Sequence, residues 1–122
     1  MTARVLIVDD IEANVKLLEA RLTAEYFETL TARSGPEALE ICSTEGADVV
    51  LLDIMMPVMD GYETIKRIRD QKEFQQLPII ALTAKAMKED RDKCIAAGAN
   101  DYLSKPVDLD RLFSVMRVWL YR

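Results

Sequence analysis

Three aspartates give this sequence its first chemical signal. Asp9 and Asp10 follow the apolar run "VLIV", and Asp53 follows "VVLL". A carboxylate is costly to bury unless it is paired or bound to a cation. Acids at the ends of core strands therefore mark a mouth open to solvent and to something positive. Thr83 in "PIIALTA" and Lys105 in "DYLSK" occupy comparable places. Crowded carboxylates raise one another's pKa unless a cation neutralises them, and an all-oxygen donor set favours a hard ion such as Mg2+. The set permits phosphoryl transfer to a carboxylate. Asp53 is the candidate nucleophile, Asp9 and Asp10 hold the metal, and Thr83 and Lys105 meet the phosphoryl oxygens with a hydroxyl and an ammonium. Each residue alone has an ordinary use: an acidic pair can cap the next helix, a threonine suits a strand, and a lysine before proline suits a solvated loop. Their coincidence at one edge favours the chemistry. The chain has no histidine, which excludes a Ser/His/Asp triad, a Cys/His pair and a His-ligated zinc. Any phosphohistidine donor must be another protein or domain.

Positioning these groups requires strands that end together. Five short apolar segments, "RVLIV", "ETLTA", "DVVLLD", "PIIALTA" and "DYLSK", are each followed by a stretch with helical periodicity. Runs such as "VVLL" are apolar on both faces, as parallel strands covered on both sides require. The expectation is a three-layer α/β sandwich. In such a sheet, ligands bind outside the carboxyl ends of the strands, where strand order reverses. With the flavodoxin-like order 2-1-3-4-5, strands one and three are neighbours and Asp9, Asp10 and Asp53 converge.

The helices can be placed from their periodicity and caps. Ile11, Val15, Leu18 and Leu22 predict an inward stripe on the first, with Asn14 and Glu19 outward. Pro36 opens a second helix with Ala38, Leu39 and Cys42 inward, and Gly46 suits its end. Gly61 precedes a third with Ile65 and Ile68 inward, Gly98 caps a fourth, and Asp108 is the N-cap of a fifth. On the fifth, Leu109, Leu112, Phe113, Met116 and Leu120 read as inward. Val115, Val118 and Trp119 extend apolar surface around the helix, a broad buried face or a docking surface for a partner or second copy.

At 122 residues and 50% hydrophobic content, the chain fits one domain over residues 1–122 with a proper core. A net charge of -5 with dispersed Lys and Arg leaves no footprint for direct nucleic-acid binding. No apolar run reaches membrane-spanning length, so no membrane association is expected and the location expected is cytoplasmic. Cys42 and Cys94, far apart on helical segments, read as free thiols. The only glycines are Gly35, Gly46, Gly61 and Gly98, which form no nucleotide-binding motif.

The motifs "VDD" at Val8 to Asp10, "LLDIMMPVMDGYE" around Asp53, "LTA" at Leu82 to Ala84 and "YLSKP" at Tyr102 to Pro106 closely resemble the receiver domain of two-component response regulators, over essentially the whole chain. The resemblance implies that Asp53 is phosphorylated by a histidine kinase or histidine phosphotransfer protein. It implies that Asp10 binds Mg2+ directly, that Asp9 acts largely through water, and that the backbone carbonyl of Met55 completes the protein ligands. Thr83 becomes the switch hydroxyl, Lys105 the phosphoryl-binding lysine and Tyr102 the switch aromatic, with a cis Lys105–Pro106 bond. A downstream effector, or a homodimer, would read the change through helix four, strand five and helix five. Such a domain is a phosphoacceptor that assists its own phosphorylation and dephosphorylation rather than an enzyme. Val58 departs from a frequent glycine, and the small Ala84 leaves the phosphoryl group accessible. The first half resembles receivers of diguanylate cyclase regulators and the second half receivers of hybrid histidine kinases, as in a recombined or engineered chain. A degenerate receiver acting only as an interaction module is the alternative. A haloacid-dehalogenase-type phosphohydrolase would want an aspartate where Met55 stands.

Overall fold

The computed structural model describes residues 2–56, 60–84 and 88–121; Val58 lies outside them. Strands and helices alternate: β1 Arg4–Val8, α1 Glu12–Ala24, β2 Glu28–Ala32, α2 Gly35–Thr44, β3 Val49–Asp53, α3 Gly61–Asp70, β4 Ile79–Thr83, α4 Lys88–Ala97, β5 Asp101–Ser104 and α5 Leu109–Leu120, with a short 3-10 turn at Lys72–Phe74. The strands form one sheet in the order β2-β1-β3-β4-β5, and every pairing is parallel. All five residues of β3 and all five of β4 are buried. That is the physical reason these segments are apolar without alternation: both faces are covered by helices.

The sheet separates two apolar clusters. On one face, Ala38 and Cys42 of α2, Ile65 and Ile68 of α3, and Cys94 and Ala97 of α4 pack on Leu6, Val50, Leu52 and Ile79. On the other, Val15, Leu18 and Leu22 of α1 and Leu112 and Met116 of α5 pack on Val5, Ile7, Leu51 and Leu82. Burying each Val, Leu, Ile or Met among them stabilises the fold by about 1.5–3 kcal/mol. Ile11 departs from the expected stripe. It is the N-cap of α1 in extended conformation and about half exposed, because the helix begins one residue later. On α5, Val115 packs against the second cluster while Val118 is exposed. Both cysteines are free and buried, and burial pushes the Cys42 thiol up to about 11.

The helix starts follow local chemistry. Ser34 accepts the Glu37 N–H ahead of α2, Asp60 accepts the Glu63 N–H ahead of α3, and Asp108 accepts from Asp110 and Arg111 ahead of α5. Gly46 and Gly98 take positive φ of 78° and 122° at the ends of α2 and α4, where a side chain would be strained.

Arg69, near the end of α3, ties four segments together. Its guanidinium donates to the carbonyls of Gly98 at 2.9 Å, Phe74 at 2.7 Å and Leu77 at 2.6 Å, and to the Asn100 side-chain oxygen at 2.7 Å. The same Asn100 oxygen accepts the backbone N–H of Ile79, which fixes the start of β4 beside the turn after α4.

Candidate functional site

Because the strands are parallel and in register, their carboxyl ends open on one edge of the sheet. Asp53 is the last residue of β3, Thr83 the last of β4, Asp9 and Asp10 follow β1, and Lys105 follows β5. Asp53 pairs in register with Leu82 and Thr83 with Ser104. The register therefore sets the acids beside the hydroxyl and the lysine.

One carboxylate oxygen from each of Asp9, Asp10 and Asp53 lies within 4.8 Å of the others. Asp9 and Asp53 are buried and Asp10 is exposed. The Lys105 ammonium lies 3.3 Å from Asp9 Oδ2 and 3.2 Å from Asp53 Oδ1. Asp9 Oδ1 accepts the Ile11 N–H at 2.9 Å, and Asp53 Oδ1 accepts the Met55 N–H at 3.1 Å. Asp9 thus does both things open to an acid at a strand end: it holds the turn into α1 and it faces the lysine. Burial pushes the Asp53 carboxyl up from its ordinary value; the neighbouring Asp9 adds to this, while the Met55 N–H and Lys105 oppose it. Three carboxylates against one ammonium leave an excess of negative charge in a partly desolvated basin. Closely set carboxylate oxygens of this kind suit a hard divalent cation.

The loop after β3 is held by Gly61. Its N–H donates to the Ile54 carbonyl at 3.0 Å. A Cβ at this position would stand 2.4 Å from the Ile54 Cα and 2.9 Å from the Asp53 carbonyl oxygen, so no larger residue fits without shifting the backbone that carries Asp53. The sequence marked Gly61 only as preceding a helix. Its role depends on a close approach that spacing does not reveal, although a glycine soon after a strand-end acid is the available signal.

Tyr102 lies on β5 opposite Ala81. Its half-buried ring packs on the α2–α3–α4 side of the sheet, and the Arg91 guanidinium sits over it at 5.5 Å from the ring centre. Thr83 is buried and Ala84 beside it is exposed. Met55 is exposed next to the acids. The Lys105–Pro106 bond is cis. A groove lined by Asp9, Asn14, Leu17, Lys105, Val107 and Leu109 runs from the acids between α1 and the start of α5. Among the described residues, no helix is long and apolar enough to cross a membrane.

The model for the response regulator receiver domain matches residues 5–117. The chain is 46% identical over 117 residues to the response regulator PleD of Caulobacter vibrioides, covering 96% of this chain and 26% of PleD, so it spans about a quarter of that relative. It is 38% identical over 120 residues to the polar-differentiation response regulator DivK of Brucella ovis, covering 98% of each. Among solved structures, chemotaxis protein CheY4 of Vibrio cholerae superposes with a TM-score of 0.93 at 32% identity, covering 98% of this chain and all of that one. The receiver domain of sensor histidine kinase PA1611 from Pseudomonas aeruginosa, described with a magnesium ion coordinated in its active-site cleft, superposes with a TM-score of 0.92 at 34% identity over the full length of both chains. With the parallel sheet, its acidic edge and these likenesses in agreement, the chain belongs to the response regulator receiver domains, the regulatory phosphoacceptors of two-component signalling.

Proposed function

We propose that residues 1–122 form one cytoplasmic receiver domain in which Asp53 accepts a phosphoryl group from a phosphohistidine on a histidine kinase or phosphotransfer protein. The observation that carries this reading is the buried Asp53 at the end of β3, within 4.8 Å of two further carboxylates and 3.2 Å from Lys105. In the transfer, an oxygen of Asp53 attacks phosphorus, the P–O bond forms and the P–N bond to the donor imidazole breaks. The described contacts of the Asp53 carboxylate hold Oδ1, so Oδ2 is the attacking atom. Lys105 stays beside the transferred oxygens as an ammonium, and the Thr83 hydroxyl donates to one of them. Both act by charge and position. The residues that would hold Mg2+ are Asp10 directly, Asp9 largely through water, Asp53, and the backbone carbonyl of Met55. When bound, the ion supplies positive charge to the transferring group.

Once Asp53 carries the phosphoryl group, the Thr83 hydroxyl is drawn towards it and the Tyr102 ring enters the vacated space. The surface of α4, β5 and α5 then changes for an effector or a second copy. Moving such an equilibrium from 1:99 to 99:1 takes roughly 5.5 kcal/mol, within reach of several charge-assisted hydrogen bonds. The domain also assists loss of its own phosphoryl group. The exposed Ala84 leaves room for water.

Intact mass after incubation with Mg2+ and acetyl phosphate tests the reading, with Asp53→Asn alongside. One added phosphoryl group, absent from the variant, supports it. The absence of both a phosphoryl adduct and a beryllofluoride complex would leave an interaction module.

A further inference from the structure

Arg91 occupies an unusual place on α4. Cys94 and Ala97 follow it at spacings of three and are buried against the sheet, so Arg91 continues the stripe that faces β5. Where that stripe would take an apolar residue, the chain has a cation. Arg91 itself is exposed. Its guanidinium lies over the Tyr102 ring at 5.5 Å from the centre and makes no ion pair with another described residue. A guanidinium over a tyrosine face is attracted by the ring quadrupole. This contact joins α4 to β5 at the aromatic residue whose movement the switch requires.

We propose that Arg91 is a latch on the switch: its cation–π contact holds the Tyr102 ring in the position seen with unmodified Asp53 and raises the phosphoryl occupancy needed to release it. This rests on the assignment of Tyr102 as the switch aromatic. By linkage, a contact present in one state and absent in the other weakens binding of any ligand that favours the second state by the same factor. An exposed cation–π contact corresponds to a factor of about two to five. The charge, rather than the covering bulk, does the holding. Arg91→Met, which keeps an unbranched apolar stem over the ring, should therefore release the latch without unpacking α4.

A reporter is already present. Trp119 is the only tryptophan, and its indole N–H points to Asp101 Oδ2 at 3.5 Å, one residue from Tyr102. Trp119 fluorescence, titrated with beryllofluoride at fixed Mg2+, reads the conformational midpoint. Arg91→Met should lower that midpoint about two- to fivefold, and in a Tyr102→Leu background the same substitution should leave it unchanged. An unshifted midpoint with a normal response in the parent overturns the latch alone. An equal shift in the Tyr102→Leu background overturns it too, since Arg91 would then act without the ring. If beryllofluoride binds, as followed by 19F NMR, and Trp119 does not respond even in the parent, the switch reading fails and the latch falls with it.

Discussion

Replacing Asp53 by asparagine should stabilise the metal-free protein while removing its chemistry. At an effective dielectric of about 20, two carboxylates at the 4.8 Å limit of the cluster repel by about 3.5 kcal/mol, and an ammonium at the 3.2 Å separation of Lys105 attracts by about 5 kcal/mol. Asp53 faces two other acids and one lysine that Asp9 shares, and it is 2% exposed. Two such repulsions less one attraction disfavour the ionised form by about 2 kcal/mol; burial adds to this and the Met55 N–H opposes it. Unfolding entropy near 2.1 cal/mol/K per residue over 122 residues makes 1 kcal/mol worth about 4 °C in Tm. Asp53→Asn should therefore raise Tm by about 8 °C in chelator-treated buffer at pH 7.5, read by scanning calorimetry. Mg2+ at ten times its Kd adds about 1.4 kcal/mol to the parent, or about 5–6 °C, and less to the variant, so the two converge. The pH dependence has a definite sign. The Asp53 pKa is raised in the folded state, chiefly by burial, so its contribution is most favourable below the ordinary carboxylate range and is lost as pH rises through the folded pKa. The gap between variant and parent should close as pH falls from neutral towards that range. A metal-free variant less stable than the parent, or an equal response of both to Mg2+, would refute the electrostatic account.

The remaining predictions concern the scaffold and the output face. Arg69→Ala removes four hydrogen bonds from a guanidinium and should destabilise the domain by about 2–4 kcal/mol in urea unfolding, with amides at the turn after α4 losing protection from hydrogen exchange first. Gly61→Ala forces a shift of the Ile54 and Asp53 backbone and should cost about 1–3 kcal/mol, with slower phosphorylation by acetyl phosphate even where the protein is fully folded. Val118→Asp should weaken association in analytical ultracentrifugation without altering phosphorylation of Asp53; unchanged association would remove Val118 from the docking surface.

Much of this molecule was legible in its sequence, and the rest was hidden for identifiable reasons. The central strands are legible in continuous apolar runs such as "VVLL", because strands buried on both faces need no alternation; the order 2-1-3-4-5 is a premise of the flavodoxin-like arrangement rather than a product of those runs, and the sheet bears it out. The meeting of Asp9, Asp10 and Asp53 followed from that topology, since parallel strands put all their carboxyl ends on one side. Ile11 fits the apolar spacing but lies outside the helix, because periodicity alone does not fix where a helix begins; the Asp9 side chain holds the turn ahead of α1 and Ile11 is its N-cap. Val115, Val118 and Trp119 read as one apolar extension of α5, yet Val115 packs against the second cluster while Val118 is exposed. Arg69 gives no signal in the sequence because three of its four partners are backbone carbonyls, which carry no side-chain signature. The stacking of Arg91 on Tyr102 depended on how α4 sits over β5, which sequence spacing cannot supply.

The seam between β3 and β4 divides the chemistry as well as the chain. Asp9, Asp10 and Asp53 all precede it, Thr83 and Lys105 follow it, and backbone pairing from Val50 to Asp53 against Ile79 to Leu82 joins the two sides. A polypeptide cut in the exposed stretch at Gln75 and Gln76 would yield two fragments, one with Asp9, Asp10 and Asp53 but without Lys105, the other with Thr83 and Lys105 but without the three site aspartates. Neither can become phosphorylated alone, so recovery of phosphorylation on mixing would be a direct chemical readout of fragment complementation.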